Sequence, residues 1–151
     1  KLPVFGHRHH ERRRRHDVPV TRLQLTLRVT SWQLAVCKFP ADSALPPWVL
    51  HAEAEFWSIT RTPGEMSVVC AEDDLPPSVH EHVERGWQAF ELVGPIPFGT
   101  TGVISGLTVP LAAAGIGVFV LSTYDTDYLL VKATHFARAS EILAGVCEVI
   151  G

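Results

Sequence analysis

Apolar and polar residues alternate through much of the first half of the chain, and a period of two residues predicts β-strands. Four stretches carry this pattern: LQLTLRV (23–29), WQLAVCKF (32–39), EFWSITRT (55–62) and EMSVVCAE (65–72). The last two flank Pro63-Gly64, which predicts a hairpin turn between them. The first half of the chain is therefore expected to be rich in strands.

Two short helices complete the prediction for this half. Three prolines at 40, 46 and 47 mark a loop that leads into a helical turn at 48–51. Residues 74–85 are predicted to form a helix, with two prolines near its start and Gly86 just past its end. The order is strand, short helix, hairpin and helix.

The second half shows the same order more clearly. The predicted elements are a strand at 87–96, a helix capped by Thr100 or Thr101 and running to about 114, strands at 117–123 and 127–132, a helix at 133–146 and a closing strand at 148–150. This β-α-β-β-α-β order is that of the ferredoxin-like split βαβ unit.

We therefore predict an α+β protein with two tandem ferredoxin-like modules, each with an antiparallel sheet, rather than one open sheet. The first module, at 21–86, is the more degraded, and the second spans 87–151. The strand at 87–96 could close the first module, open the second or serve both.

Charge is distributed unevenly along the chain. Residues 1–28 hold eight of the thirteen Lys and Arg, so the remainder has a net charge of −9. Residues 1–20 contain HRHHERRRRH, which has no apolar periodicity and predicts a disordered basic arm. A nucleic-acid or membrane-surface arm and a histidine metal site are the alternatives for this segment. The acidic remainder argues against nucleic acid as the main partner.

The uncharged stretch from Leu92 to Tyr124 raises the question of a membrane span. Residues 102–121 are long enough to cross a bilayer, but Pro110 would lie in the middle of the span and no basic flank orients it. A helix and a buried strand separated at Gly115 are predicted instead, without a membrane partner. No secretory signal is visible, because no apolar run follows the basic start. Three widely spaced cysteines are interpreted as reduced thiols in a cytoplasmic protein.

Catalytic motifs are absent from the sequence. His80-Glu81-His82 is not HExxH, and no GxSxG, Walker or GxGxxG pattern occurs. The chain is therefore predicted to be no enzyme, with no catalytic residue, no metal and no cofactor. An enzyme whose site is assembled in space from His, Asp and Cys side chains stays open as a hypothesis.

One polar cluster stands out between two apolar strands. The hairpin tip STYDTD (122–127) carries more polar side chains than a turn requires, although a hydrogen-bonded turn alone would also explain it. Backbone amides at a helix start, such as those of Thr101, Gly102 and Val103, favour an anion such as an amino-acid carboxylate. Asp125 or Asp127 could then pair with the ammonium group.

Three stretches carry a family resemblance: GWQAFELVG (86–94), GPIPFGTTGVISGL (94–107) and VPLAAAGIGVFVLSTYDTDYLLV (109–131). On these residues the chain resembles the ACT-domain family, and in particular the ACT modules of CASTOR-type cytosolic arginine sensors and their small bacterial relatives. The resemblance covers roughly residues 30–151.

The resemblance implies regulation without catalysis. ACT-type modules pair side by side and bind small molecules, usually amino acids, where modules meet. Carried onto this chain, the implied ligand-binding residues are Phe98, Thr100, Thr101, Gly102, Val103, Thr123, Tyr124, Asp125 and Asp127. The relatives carry an acidic residue where this chain has Gly99 and Thr100, so the resemblance implies an amino acid without fixing which.

The leading hypothesis is a non-catalytic sensor that binds an amino acid or similar small molecule at a module interface and forms a homodimer. The alternative is a ligand-free dimerisation or protein-interaction module, because much of the uncharged stretch 92–124 could be an interface.

Overall fold

The structure is a computed structural model that describes residues 22–50 and 53–151. The predicted basic arm at 1–20 lies outside the described residues. These residues form seven strands and two α-helices, in the order β1 (Thr26–Phe39), β2 (Ser58–Arg61), β3 (Met66–Ala71), β4 (Val83–Leu92), α1 (Val103–Ala113), β5 (Phe119–Ser122), β6 (Asp127–Lys132), α2 (Ala133–Ala144) and β7 (Glu148–Ile150). Short 3-10 helices lie at Pro47–Val49 and Glu72–Asp74. The predicted α+β class is confirmed.

The described strands form one seven-stranded sheet in the order β2-β3-β1-β4-β6-β5, with β7 paired to β1. The pairing of β1 with β7 is parallel, and the other described ladders are antiparallel. The structure thus has one continuous sheet where the sequence pattern predicted two. Strand β4 pairs with β1 on one edge and β6 on the other, so the strand predicted at 87–96 serves both halves.

Strand β1 is a single 14-residue strand where the pattern predicted separate strands at 23–29 and 32–39. Its pairing with β4 shifts register between Val29 and Gln33. Such an irregularity accommodates an extra residue without ending the strand. The first part of β1 pairs with β7 and the last part pairs with β3.

The prediction of a helix at 74–85 is wrong. Only Glu72–Asp74 is helical there, as a 3-10 turn, and β4 already begins at Val83. Gly86 does not follow a helix; it lies inside β4 with a φ of 76°. The Glu72 carboxylate accepts a hydrogen bond from the Gly86 N–H. Pairing with β1 determines the conformation here, and local propensity is overridden, as is common for short polar segments.

Helix α1 begins after Gly102, with no side-chain cap, so the prediction that Thr100 or Thr101 caps it is wrong. Gly102 has a φ of 79°, which glycine adopts without strain. The helix continues through Pro110 and ends before Gly115, whose φ of 72° is typical of a glycine that terminates a helix. No helix in the part of the chain that the structure describes has the length and apolar character needed to cross a membrane.

Both α-helices cover the same face of the sheet. Their buried side chains pack on alternate residues of β1, β4 and β6, and Phe90 stacks on Phe136 with ring centroids 4.2 Å apart. This cluster consists of Leu27, Phe90, Leu92, Val103, Leu107, Leu111, Ile116, Leu129, Val131, Phe136, Ala139, Leu143 and Cys147. A second cluster under Pro47–Val49 contains Cys37 and Cys70. All three cysteines are buried and free.

The opposite face of the sheet is covered by no described α-helix, and we call it the helix-free face. Its buried layer consists of Leu34, Val69, Ala89 and Leu130. Half-buried side chains lie over that layer: Trp32, Val36, Phe56, Trp87, Phe119, Leu121 and Tyr128. The sheet thus separates a helix-covered core from an aromatic surface.

Candidate functional site

A cleft of about 310 Å³ lies between the loop that leads into α1 and the β5–β6 hairpin, and we call it the hairpin cleft. It is lined by Ile96, Pro97, Phe98, Thr100, Gly102, Val103, Ile104, Ser105, Ser122, Thr123, Tyr124, Asp125, Thr126 and Asp127. The two polar segments singled out in the sequence therefore face each other across a space of small-molecule size.

The hairpin is closed by its own polar side chains. The Thr123 N–H donates to the Thr126 carbonyl oxygen at 2.8 Å, and the Thr126 N–H donates to Thr123 Oγ1 at 3.2 Å. The Ser122 hydroxyl donates to Asp127 Oδ1. Part of the polar tip is thus used to close a turn, as the simpler interpretation of the sequence expects.

Three contacts fix the loop against the hairpin. The Ile96 N–H donates to the Asp125 carbonyl oxygen at 2.7 Å, and the Thr126 hydroxyl donates to the Leu92 carbonyl oxygen. The Phe98 and Tyr124 rings meet edge to face with centroids 5.0 Å apart. Both rings are strongly exposed, at 78% and 80%, so they form an apolar rim at the mouth of the cleft.

The start of α1 supplies hydrogen-bond donors beside the cleft. The first intrahelical bond is donated by the Gly106 N–H to the Gly102 carbonyl oxygen at 2.9 Å. The amides of Val103, Ile104 and Ser105 precede that bond and have no partner within the helix, and no side chain caps them. These amides and the helix dipole favour a negatively charged group.

Two carboxylates lie on the hairpin side. Asp125 is exposed, and no side-chain hydrogen bond is found for it among the described residues. Asp127 is half-buried and already accepts the Ser122 hydroxyl. No Lys or Arg of residues 22–50 and 53–151 lines the cleft, so among these residues the carboxylates face no competing cation. The cleft therefore offers amides for an anion at one end and carboxylates for a cation at the other.

The structure brings together eight of the nine residues predicted to bind a ligand, and their role in binding stays a prediction. The exception, Thr101, is exposed and does not line the cleft. Six further lining residues were not predicted: Ile96, Pro97, Ile104, Ser105, Ser122 and Thr126. Each lies within two residues of a predicted one, so a slightly wider window around the two segments would have included them.

A larger opening of about 950 Å³ lies on the helix-free face, and we call it the acidic cavity. It is lined by Ser31, Trp32, Gln33, Leu34, Glu53, Ala54, Glu55, Phe56, Ala71, Asp73 and Asp74. The sequence patterns did not predict it, because its acidic residues come from two separate connecting segments. Within the described residues, no three His, Cys, Asp or Glu side chains are grouped as a metal site requires.

Comparison with known proteins defines the class. The ACT-domain family model matches residues 82–145, and a model of another family's N-terminal domain matches residues 33–78. Putative protein CASTOR3P of Homo sapiens is 33% identical, and the match covers 68% of this chain and 76% of that protein. The cytosolic arginine sensor for mTORC1 subunit 1 of Bos taurus is 31% identical, and the match covers 62% of this chain but 31% of that protein.

Solved structures also resemble this chain. A crystal structure of a protein from Agobacterium tumefaciens has a TM-score of 0.77 and 33% identity, with 85% of this chain and 95% of that chain covered. The regulatory subunit of aspartate kinase from Thermus thermophilus has a TM-score of 0.53 at 12% identity, covering 82% and 93%, which shows similarity of fold alone.

The fold is that of an α+β protein in which a βαββαβ segment, from β4 to β7, carries a polar cleft at the start of its first helix. The chain belongs to the ACT-domain family. The family expected from the sequence is thus confirmed.

Proposed function

We propose that the chain is a non-catalytic regulatory protein that binds an amino acid in the hairpin cleft. The observation that carries this proposal is the juxtaposition of uncapped helix amides and a free carboxylate across about 310 Å³. An amino acid carries an anion and a cation a few bonds apart, which matches that arrangement. Names of relatives support the same class, since the bovine protein is called an arginine sensor.

The ligand carboxylate would bind at the amides of Val103, Ile104 and Ser105. The ammonium group would pair with Asp125, because Asp127 is already engaged by Ser122. Hydrogen bonds to charged groups contribute about 1.5–3 kcal/mol each. Two or three of them with some burial of the ligand side chain would correspond to a micromolar dissociation constant, near about −8 kcal/mol.

Thermal denaturation in the presence of each of the twenty amino acids tests the proposal. A ligand at about 100 times its dissociation constant should add roughly 2.7 kcal/mol to the stability of the folded chain. Asp125→Asn should reduce the shift strongly, because the charge is lost while the shape is kept. Asp42→Asn, an exposed position outside the cleft, is the matched control. No shift with any amino acid would remove the proposal.

We extend the proposal to the organisation of the chain. Two ACT-like modules at 21–86 and 87–151 remain our interpretation. Two separate family matches, at 33–78 and 82–145, support a division of the chain, and the second of them is the match to the ACT domain. A homodimer in the cytoplasm is also proposed. The exposed edge strand β5, where Val120 is 37% exposed, offers a pairing edge for a second copy, and the buried free thiols fit a reducing compartment.

A ligand-free interaction module is the second candidate, because the exposed Phe98 and Tyr124 rings would also suit a protein interface. Substituting both rings by serine separates the two candidates. An interaction module would lose its assembly in sedimentation experiments, whereas a sensor would keep its assembly and lose part of its ligand response.

A further inference from the structure

The two walls of the hairpin cleft differ in chemistry. The hairpin wall is polar and carries the carboxylates of Asp125 and Asp127. The wall formed by the loop and the start of α1 is largely apolar. Its apolar side chains are those of Ile96, Pro97, Phe98, Val103 and Ile104. A molecule bound between the walls would therefore meet charged groups on one side and apolar groups on the other.

Two aromatic rings meet at the mouth of the cleft. Phe98 comes from the loop and Tyr124 from the hairpin, and the rings are in edge-to-face contact although they are 78% and 80% exposed. The hydrogen bond from the Ile96 N–H to the Asp125 carbonyl oxygen, at 2.7 Å, holds the two segments together beside them. Exposed aromatic surface gathered next to a cleft is typical of a site where a ligand contacts it. The rings thus provide an apolar surface that is in place before a ligand binds.

The charges of the hairpin wall restrict the kind of side chain that a ligand can carry. In the proposed function, Asp125 pairs with the ammonium group of the amino acid. Asp127 already accepts the Ser122 hydroxyl, which helps to close the hairpin. A basic side chain would have to share a carboxylate with one of these partners, and an acidic side chain would be repelled by both carboxylates. An apolar side chain meets neither penalty.

The rings lie close along the chain to both anchoring points of the ligand. Phe98 is in the loop that leads to the first amides of α1, and Tyr124 directly precedes Asp125. The carboxylate and ammonium groups of an amino acid share one carbon atom, which also carries the side chain. With both groups anchored, the side chain begins between the two segments that carry the rings.

We propose that Phe98 and Tyr124 form a side-chain subsite of the hairpin cleft, and that this subsite selects amino acids with an apolar side chain. Basic and acidic amino acids are expected to bind more weakly. This selection rests on the proposed function of the cleft: the charged main-chain groups anchor the ligand, and the two rings distinguish its side chain.

Isothermal titration of the full chain with glycine, leucine and arginine tests the subsite. Glycine has the same ammonium and carboxylate groups as the other two and no side chain, so the ratio of its Kd to that of leucine measures the contribution of the side chain. Leucine should bind about tenfold more tightly than glycine, because part of its apolar surface is buried against the rings. Arginine should bind more weakly than leucine.

Variants of the two rings show whether the preference comes from these side chains. Phe98→Ser with Tyr124→Ser should bring the dissociation constants of glycine and leucine close together. Phe98→Leu with Tyr124→Leu should keep most of the preference, since the apolar contact is retained without aromatic faces. Trp57→Ser removes a ring that is 43% exposed outside the cleft, so this matched control should leave the ratio unchanged. Circular dichroism checks that the variants are folded.

Two results would overturn the subsite and leave the proposed function standing. An unchanged ratio in the serine variant would show that the rings do not contact the ligand. Tighter binding of arginine than of leucine, lost in the leucine variant, would show that the rings bind a cation through their faces instead. Binding of no amino acid at all would remove the proposed function and the subsite together.

Discussion

At the scale of single residues, glycine positions decide how closely the loop can approach the hairpin. A Cβ built at Gly94 would lie 2.9 Å from the Asp125 carbonyl oxygen and 3.2 Å from Thr126 Cβ. The first of these contacts is with backbone, which cannot move without displacing the hairpin. At Gly99, by contrast, an added Cβ meets nothing within 4 Å.

Gly94→Ala is therefore expected to destabilise the fold by about 1–3 kcal/mol, the usual cost of overpacking. It should also weaken binding in the hairpin cleft, because the hairpin is pushed away from the loop. Gly99→Ala, in the same loop, should leave both properties unchanged. Urea denaturation measures the change in stability, and ligand titration measures the change in affinity. Equal stability and equal affinity of the two variants would show that the close contact at Gly94 does not matter.

The buried thiol of Cys147 gives a second prediction at the scale of single residues. Burial raises the pKa of its thiol above the ordinary value of 9.0, although Arg22 acts in the opposite direction. The thiol is therefore protonated in the folded protein at pH values where the unfolded chain already forms thiolate. Its contribution to stability is present below pH 9 and is lost as the pH rises beyond it.

Alkylation by iodoacetamide at pH 8 should accordingly be slow at Cys147 in the folded protein and fast in urea. Peptide mapping of the modified cysteine gives the rate. Fast modification of the native chain would show that this segment opens readily.

The predicted cleft residues show what sequence can establish at this scale. Gly102 and the hairpin tip were found because a helix start and a polar turn both have local sequence signatures. Ile96 was missed because its role, a backbone bond to Asp125, depends on a contact between segments 29 residues apart.

At the scale of elements, the strands and helices after β4 were predicted well. Strand β6 at Asp127–Lys132 and β7 at Glu148–Ile150 match the predicted bounds, since their apolar runs are short and sharply ended. The prediction of a helix at 74–85 failed because Pro76 and Pro77, beside acidic residues, occur in loops as well as at helix starts. Only pairing with β1 decides that Val83 onward is extended.

The contact between α2 and the sheet gives an element-scale prediction. Phe90 is fully buried and stacks on Phe136, so Phe90→Ala should cost about 3–5 kcal/mol of stability. Phe98→Ala removes the same side chain from a position that is 78% exposed, and it should change stability by less than about 0.5 kcal/mol. Chemical denaturation measures the free energy of unfolding of both variants. Similar losses of stability would contradict the placement of Phe90 in the core between the sheet and α2.

At the scale of the whole molecule, β1 joins the two halves. It pairs with β3 near its end, with β7 near its start and with β4 along most of its length. No local pattern predicts such sharing, because it depends on which strands become neighbours. The order of elements from β4 to β7 was nevertheless predictable from sequence.

Shared strands predict cooperative unfolding. Far-ultraviolet circular dichroism and tryptophan fluorescence should give the same midpoint in urea, because neither half keeps its sheet without β1 and β4. Trp48 and Trp57 lie in the first half, whereas both α-helices lie in the second. Two separate midpoints would show that the halves unfold independently.

Tyr128 contacts two aromatic residues of the acidic cavity and directly follows a residue of the hairpin cleft. Its ring packs on Phe56 at 5.0 Å and on Trp32 at 5.9 Å, while its neighbour in β6, Asp127, lines the hairpin cleft. A ligand that shifts Asp127 would therefore also move the Tyr128 ring against Trp32, and the fluorescence of Trp32 would report that shift.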